Sequence, residues 1–238
     1  MFKEENARTY VVSDLHGSFD KFQKLLKTIN FKDNDVMYVL GDIVDYGDKS
    51  IELLCDLSMR FNVIPIVGDH DFRAVRLLTS LNEMLTDGTR PDADVISEMA
   101  EWMQDGGEKV MEDFKALDAD MREGVLEYLQ DMSLYEELSI KGKKYLLVHA
   151  GIVDFDPSLP FDDYMPEDFI TEAIDTNHEL IEDVTIIAGH KPTYLIEGAQ
   201  NGKIFYGEGS IIIDCGAAFG EPLACLCLET GKEYYVND

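Results

Sequence analysis

The sequence is poor in positive charge. Lys and Arg number 20 against 48 Asp and Glu, a formal net charge of −28 at pH 7. Nucleic-acid binding draws its affinity from Lys and Arg meeting phosphates, and anionic membranes attract basic clusters. So acidic a surface repels both, and neither nucleic acid nor membrane is an expected partner. Long apolar runs are also missing: no stretch approaches the roughly 20 residues that span a bilayer, and residues 1–5 begin no apolar signal segment. Cysteine is scarce, with Cys55, Cys215, Cys225 and Cys227 in 238 residues, and shows no zinc-ribbon or disulfide-framework spacing. Cys225 and Cys227 alternate along one run and are expected on one face of a strand as buried thiols. These absences predict a reduced, cytoplasmic chain.

What is present is a folded core. Hydrophobic residues make up 45% and aromatics 10%, which suits a globular protein, and the length suits one α/β domain. Three short apolar runs each end in acid, the first and third with histidine as well. Tyr10-Val11-Val12 leads into Ser13-Asp14-Leu15-His16-Gly17; residues 36–40 lead into Gly41-Asp42-Ile43-Val44-Asp45-Tyr46-Gly47; residues 63–67 lead into Gly68-Asp69-His70-Asp71. Between them lie amphipathic segments at 19–30 and 49–60, the first with Phe19, Phe22, Leu25, Leu26 and Ile29 on one face. This β-α-β-α-β pattern predicts parallel strands, and in such sheets ligands bind beyond the carboxyl ends.

That edge collects Asp14, His16, Asp42, Asp45, Asp69, His70 and Asp71, carboxylates that would repel one another unless cations lay among them. Two later runs, 145–148 and 185–188, end in His149-Ala150-Gly151 and Gly189-His190-Lys191-Pro192. Four of the five histidines therefore follow a strand end. The fifth, His178, lies in an acidic polar stretch and reads as a surface residue. A metal site is the economical reading.

The remainder fills out the architecture. Residues 1–8 read as a polar lead-in. Residues 82–134 carry apolar side chains at helical spacing, dense acid and no β-branched runs, which predicts a helical insertion beside the site. Trp102, the only tryptophan, reads as a core anchor of that insertion rather than a substrate platform. From Tyr135 a hairpin turns at Lys141-Gly142-Lys143, and strands follow at 185–188, 204–206, 211–213, 224–228 and 233–236. Two sheets packed face to face and flanked by helices, an α/β sandwich, fit this count.

The ordered motifs Ser-Asp-Leu-His-Gly, Gly-Asp-Ile-Val-Asp-Tyr-Gly, Gly-Asp-His-Asp, His-Ala-Gly and Gly-His-Lys-Pro resemble the phosphoprotein phosphatase branch of the calcineurin-like metallophosphoesterases. The similarity is to bacterial and phage serine/threonine phosphatases and to symmetrical diadenosine tetraphosphate hydrolases. Ile213-Asp214-Cys215-Gly216-Ala217-Ala218-Phe219-Gly220 is similar to that branch as well, so the resemblance runs from residue 9 to 236. It implies a metallophosphoesterase-like two-sheet β sandwich over a single domain, 1–238, with its insertion at about 82–134. It also implies a di-metal phosphatase acting on a phosphorylated protein or a small phosphate ester. The alternatives are a dinucleoside polyphosphate hydrolase and a degenerate metal-binding, regulatory relative.

By this resemblance Asp14, His16 and Asp42 hold one divalent ion, and Asp42 bridges to a second held by Asp69, His149 and His190. Manganese is the first expectation, with iron, zinc or nickel also suited to a mixed imidazole and carboxylate set. Paired ions clamp phosphoryl oxygens and activate water for in-line attack. His70 matches the general acid that protonates the leaving oxygen, with Asp45 orienting its ring.

Three departures from the family pattern stand out. Tyr46 occupies the place of a phosphate-binding arginine, Asp69 that of an asparagine, and no arginine follows Arg122 where the family has a second clamp. A guanidinium fork binds phosphate oxygens in pairs. Without it, substrate phosphate is expected to rest on the metals, helped by Lys191, Arg73 or Tyr46.

Overall fold

Hydrophobic alternation decides which way each strand faces. The computed structural model describes residues 7–237, so most of the polar lead-in at 1–8 lies outside the described residues. In chain order the first half runs β1 (Thr9–Val12), α1 (Phe19–Ile29), β2 (Val36–Leu40), α2 (Ser50–Ser58), β3 (Val63–Ile66), α3 (Asp69–Asp87), α4 (Ala93–Trp102), α5 (Glu108–Ala116) and α6 (Ala119–Gln130). The second half runs β4 (Tyr135–Ile140), β5 (Lys143–Val148), α7 (Pro166–Ile170), β6 (Val184–Ala188), β7 (Phe205–Tyr206), β8 (Ser210–Ile212), β9 (Leu223–Cys227) and β10 (Lys232–Val236).

The strands form two five-stranded sheets, ordered β10-β9-β1-β2-β3 and β4-β5-β6-β8-β7. In each, the central strands run parallel: β1 with β2 and β2 with β3 in the first, β5 with β6 and β6 with β8 in the second. Successive strand residues point to opposite faces. Val11, Tyr38, Leu40 and Ile66 of the first sheet therefore meet Tyr145, Leu147, Ile187 and Ile211 of the second in the core between the sheets. Tyr10, Val12, Met37 and Val39 turn the other way and pack with Phe22, Leu25 and Leu54 of the helices. Pro65 cannot donate to a ladder, and it sits on β3, at the edge of its sheet. Cys225 and Cys227 are buried free thiols within one core, as their alternation predicts.

Local chemistry sets the boundaries. Helix α1 stops where Asn30 adopts a left-handed conformation, φ 52°, a common helix ending. The β4–β5 hairpin turns through Lys141 and Gly142, both at positive φ, the geometry that matches strand twist. Between β3 and β4 the expected helical stretch is present, with α5 and α6 packed against α2 and α3. No helix among the described residues is long and apolar enough to cross a membrane.

The third helix begins at Asp69 itself, and Asp71 acts as its N-terminal brace. Oδ2 of Asp71 accepts the Gly68 N–H at 3.1 Å, and Oδ1 accepts those of Ile43 at 2.9 Å and Val44 at 3.3 Å. Asp71 is fully buried, so it ties the loop after β2 to the start of α3 and is unavailable as a ligand. Asp71→Ala leaves three buried N–H groups without their charged acceptor. It is expected to lower unfolding stability by about 2–4 kcal/mol, read from urea titration of the metal-free protein.

Candidate metal centre

The carboxyl ends of the parallel strands in both sheets meet at one place. The loop after β1 brings Asp14 and His16, that after β2 brings Asp42 and Asp45, and α3 opens with Asp69 and His70. His149 follows β5 and His190 follows β6. The backbone there is forced into unusual conformations. Of the ten non-glycine residues with positive φ among those described, six are Asp14, His16, Asp42, Asp45, Tyr46 and His190. Such conformations cost about 1–3 kcal/mol each and cluster at functional sites.

Two compact donor sets result. In the first, Asp42, Asp69, His149 and His190 bring their ligand atoms within 4.8 Å of one another; in the second, His16, Asp42 and His70 do the same. Asp42 is common to both. Oδ1 of Asp69 lies 3.1 Å from His149 Nε2 and 3.1 Å from His190 Nδ1, and those two nitrogens are 3.2 Å apart. The far nitrogens are already assigned, because His149 Nδ1 donates to the Leu40 carbonyl at 2.7 Å and His16 Nδ1 to the Val44 carbonyl at 2.7 Å. Each ring thus turns Nε2 toward the carboxylates, and such outer hydrogen bonds commonly orient metal-binding imidazoles. His149 is fully buried, whereas the side chains of His190 and Asp69 remain 25% and 37% exposed. The first set of donors therefore opens outward at Asp69 and His190.

Asp14 is close but turned. Both its oxygens accept the His190 backbone N–H at 3.1 Å, and the Ser13 hydroxyl donates to it in a short bond. It belongs to neither compact set. His70 directs Nδ1 to Asp45 Oδ2 at 2.6 Å and stands edge-on to the His16 ring, centroids 5.0 Å apart. Arg73 reaches the same pair, with Nη2 3.5 Å from both Asp45 Oδ2 and His70 Nδ1, but its guanidinium is held by Asp105 at 2.9 Å. Tyr46 lies edge-on to His16 and His70 and tilted against Phe219, with centroids 5.0–5.3 Å apart. Lys191 points elsewhere: it is exposed and lines a cavity of about 520 Å³ whose walls include none of the candidate ligands. His178 is exposed and bonds Asp175, an ordinary surface pair.

The donor set asks for positive charge. Burial, reinforced by Asp214 and Asp42, holds the Asp14 carboxyl well above its ordinary range; burial and the neighbouring Asp69 do the same to Asp42. Burial also lifts Asp71 and Asp214 to about 6. On His149 burial opposes charge, but the bond to Asp69 and the Asp14 carboxylate outweigh it and raise the group to about 9. His70 is likewise raised to about 9 against its burial, by Asp45 and Asp42. His16, buried and facing His70, falls to about 3. A proton or a metal cation can meet this demand, and three donors converging within 3.2 Å around one point suit a cation better than any set of hydrogen bonds. The residues present fit a metal centre.

The roles of several participants were not legible in the sequence. The carbonyls of Leu40 and Val44, which set the ring tautomers, carry no side-chain signal. Asp214, two residues past β8, acts on Asp14, and its Oδ1 accepts the Gly216 N–H at 2.8 Å. Trp102 donates to Asp45 from 57 positions away.

A family model for calcineurin-like phosphoesterases matches residues 7–225, and the chain belongs to that family, which works through a two-metal centre. A symmetrical bis(5′-nucleosyl)-tetraphosphatase of Actinobacillus pleuropneumoniae is 28% identical over 197 residues, 81% of this chain and 58% of the relative. The corresponding protein of Acidovorax ebreus is 32% identical over 147 residues, 60% of this chain and 44% of the relative. The chain thus spans about half the length of these curated relatives. Among solved structures, a protein serine/threonine phosphatase of Saccharomyces cerevisiae superposes with a TM-score of 0.62 at 13% identity, over 99% of this chain and 81% of that one. A metallophosphoesterase of Sphaerobacter thermophilus gives 0.56 at 17% identity, over 97% and 88%. Both show the same fold.

The raised groups carry a pH dependence. Carboxyls and imidazoles whose folded pKa lies above the unfolded value stabilise the protein while protonated, and that stability is lost as pH rises through the folded values. Asp69 is shifted downward by its imidazole bonds, and its contribution is already gained below about pH 5. The metal-free protein should therefore lose thermal stability between about pH 5 and about pH 9. Added manganese should raise Tm more at about pH 8 than at about pH 5, because protons compete for the same donors. Differential scanning calorimetry with and without chelator checks both trends.

Proposed function

We propose that this protein is a two-metal phosphoesterase that hydrolyses a phosphate ester by direct attack of water, with no covalent phosphoenzyme. The observation that carries the reading is the sharing of Asp42 between two donor sets, one closed around His16 and one opening outward at Asp69 and His190. His16 and Asp42 would hold one ion, with Asp14 turning from the His190 N–H to join them, and Asp42, Asp69, His149 and His190 the other. Manganese is the first choice for this mixed set, followed by iron, zinc or nickel. Such a pair, when bound, supplies Lewis acidity toward the phosphoryl oxygens and makes hydroxide available near neutral pH.

The protein's own groups do the rest. His70 has Nδ1 anchored on Asp45, which leaves Nε2 free to pass a proton to the leaving oxygen. Buried Asp45 fixes the tautomer and favours the charged ring. Tyr46 and Phe219, both half-exposed, wall the approach beside His16, next to a cavity of about 370 Å³ lined by His16, Gly17, Lys49 and Ala217. With Arg73 engaged by Asp105 and Lys191 turned away, phosphate recognition falls mainly to the metals. A phosphorylated protein or a small phosphate monoester suits this site. The names carried by the curated relatives favour a second reading, cleavage of a dinucleoside tetraphosphate.

Hydrolysis of para-nitrophenyl phosphate with manganese is the first test. Asp42→Asn should abolish it together with binding of both ions. His70→Ala should keep the metal and lose turnover by about 10²–10⁴-fold. A protein that binds two ions yet turns over no phosphate ester would instead be a regulatory relative, and one that loses its metal with His70 would place that ring among the ligands.

Tyr46 invites a separate test. Its phenol offers one neutral hydrogen bond where a guanidinium would offer a charged fork. Tyr46→Arg is expected to raise kcat/KM on a simple monoester at matched manganese saturation, and the gain should grow when Asp69→Asn removes a negative charge from the donor set. Unchanged kcat/KM with metal content intact would show that this wall serves another substrate group.

A further inference from the structure

The helical insertion at 82–134 reaches the Asp45–His70 pair through the side chain of Trp102. Helix α4 ends at Trp102 and passes into a wide five-residue turn, Met103–Gly107, before α5 begins. Trp102 is fully buried, and its indole N–H lies 2.9 Å from each oxygen of Asp45. A buried indole needs an acceptor. Here the acceptor is the carboxylate whose Oδ2 also holds His70 Nδ1, itself fully buried and set at φ 71°.

The wide turn is shaped to allow this contact. A Cβ on Gly107 would fall 2.3 Å from the indole ring, so only glycine lets the turn lie flat against Trp102. Gly106, at φ 97°, presents its carbonyl to the Tyr46 N–H at 3.1 Å, and a Cβ there would strike the Tyr46 ring at 2.7 Å. Asp105 holds Arg73 over the same carboxylate. The turn thus grips the Asp45–Tyr46 loop by backbone, ring and charge at once. Wide turns of this kind inside helices often mark functional positions.

We infer that Trp102 is a positioning residue for proton transfer: its N–H, shared between both Asp45 oxygens, fixes the carboxylate plane and thereby aims the His70 ring. A carboxylate free to rotate would let the ring swing, and misplacing a proton donor by about 1 Å can cost about 100-fold. Trp102 touches neither substrate nor the reacting atoms, so its effect passes entirely through Asp45 and His70. This inference rests on the phosphoesterase reading for its kinetic consequence and on geometry alone for its structural one.

Because Trp102 is the only tryptophan, growth on β-(benzothienyl)alanine replaces it at one position, with sulfur in place of the N–H and the ring volume kept. Three measurements follow. In proton NMR of the metal-free protein, the His70 Nδ1–H resonance, identified by its loss in His70→Ala, should broaden or vanish through faster exchange in the replaced protein. With manganese bound, kcat should fall about 10–100-fold on an alkyl phosphate with a poor leaving group. The fall should be much smaller on para-nitrophenyl phosphate, with KM and metal content unchanged. In a His70→Ala background the replacement should cost nothing further. An unaltered NMR resonance would overturn the positioning role whether or not the chain turns over phosphate. Equal losses on both substrates, or a further loss in the His70→Ala background, would make Trp102 a packing residue. Absence of turnover in the parent protein would instead sink the phosphoesterase reading and leave the NMR result to decide this one.

Discussion

Ionisable groups crowded out of water without a counter-charge are among the most expensive things a fold can contain. This structure gathers Asp14, Asp42 and Asp214 behind His149, all essentially buried, at the point where the ends of two sheets converge. Everything around that point is arranged so that the crowding persists. Two backbone carbonyls hold rings with their lone pairs inward, six residues accept strained backbone angles, and Asp71 braces the loops with three N–H bonds. The arrangement makes physical sense as a receptacle for cations, and the sandwich is the rigid frame that keeps the receptacle from collapsing.

Much of that frame was legible in the chain. Period-2 alternation in Tyr10-Val11-Val12 and in Leu223 to Leu228 set strand faces, and the stripe from Phe19 to Ile29 set the first helix. Parallel strands followed by acid and histidine pointed to their carboxyl ends as the place where those side chains gather. Two features escaped. A sequence window shows Asp71 as one more acid beside Asp69 and His70; only the backbone reveals that it faces inward to N–H groups while Asp69 faces outward to imidazoles. Trp102 reads as an apolar anchor, which it is. Its polar edge meets Asp45 across 57 positions, a pairing that no local period encodes.

The candidate substrate contacts divide in the same way. Arg73, three residues after His70, is carried onto the site by helical spacing but is neutralised by Asp105 from a distant turn. Lys191 follows a candidate ligand directly, yet the left-handed backbone of His190, φ 65°, sends the next residue away from the centre. Adjacency in sequence does not survive a sharp turn. Tyr46 is the contact that remains, and it brings an aromatic edge rather than a charge to the approach, so on the proposed reading the site would discriminate by shape and metal affinity more than by an arginine clamp.

The indole against Asp45 has an optical consequence. Excited at the red edge, where the 11 tyrosines absorb little, a lone tryptophan makes the emission of the protein the signal of a single ring, and that ring donates its N–H hydrogen bond to the Asp45 carboxylate beside His70. Light absorbed by Trp102 is re-emitted under the field of Asp45, so shifts in the spectrum follow the charge and placement of that one group. Ion loading, occupancy of the approach by a ligand, and loosening of the helical segment should each leave a distinct mark on the emission, readable in native protein without any label.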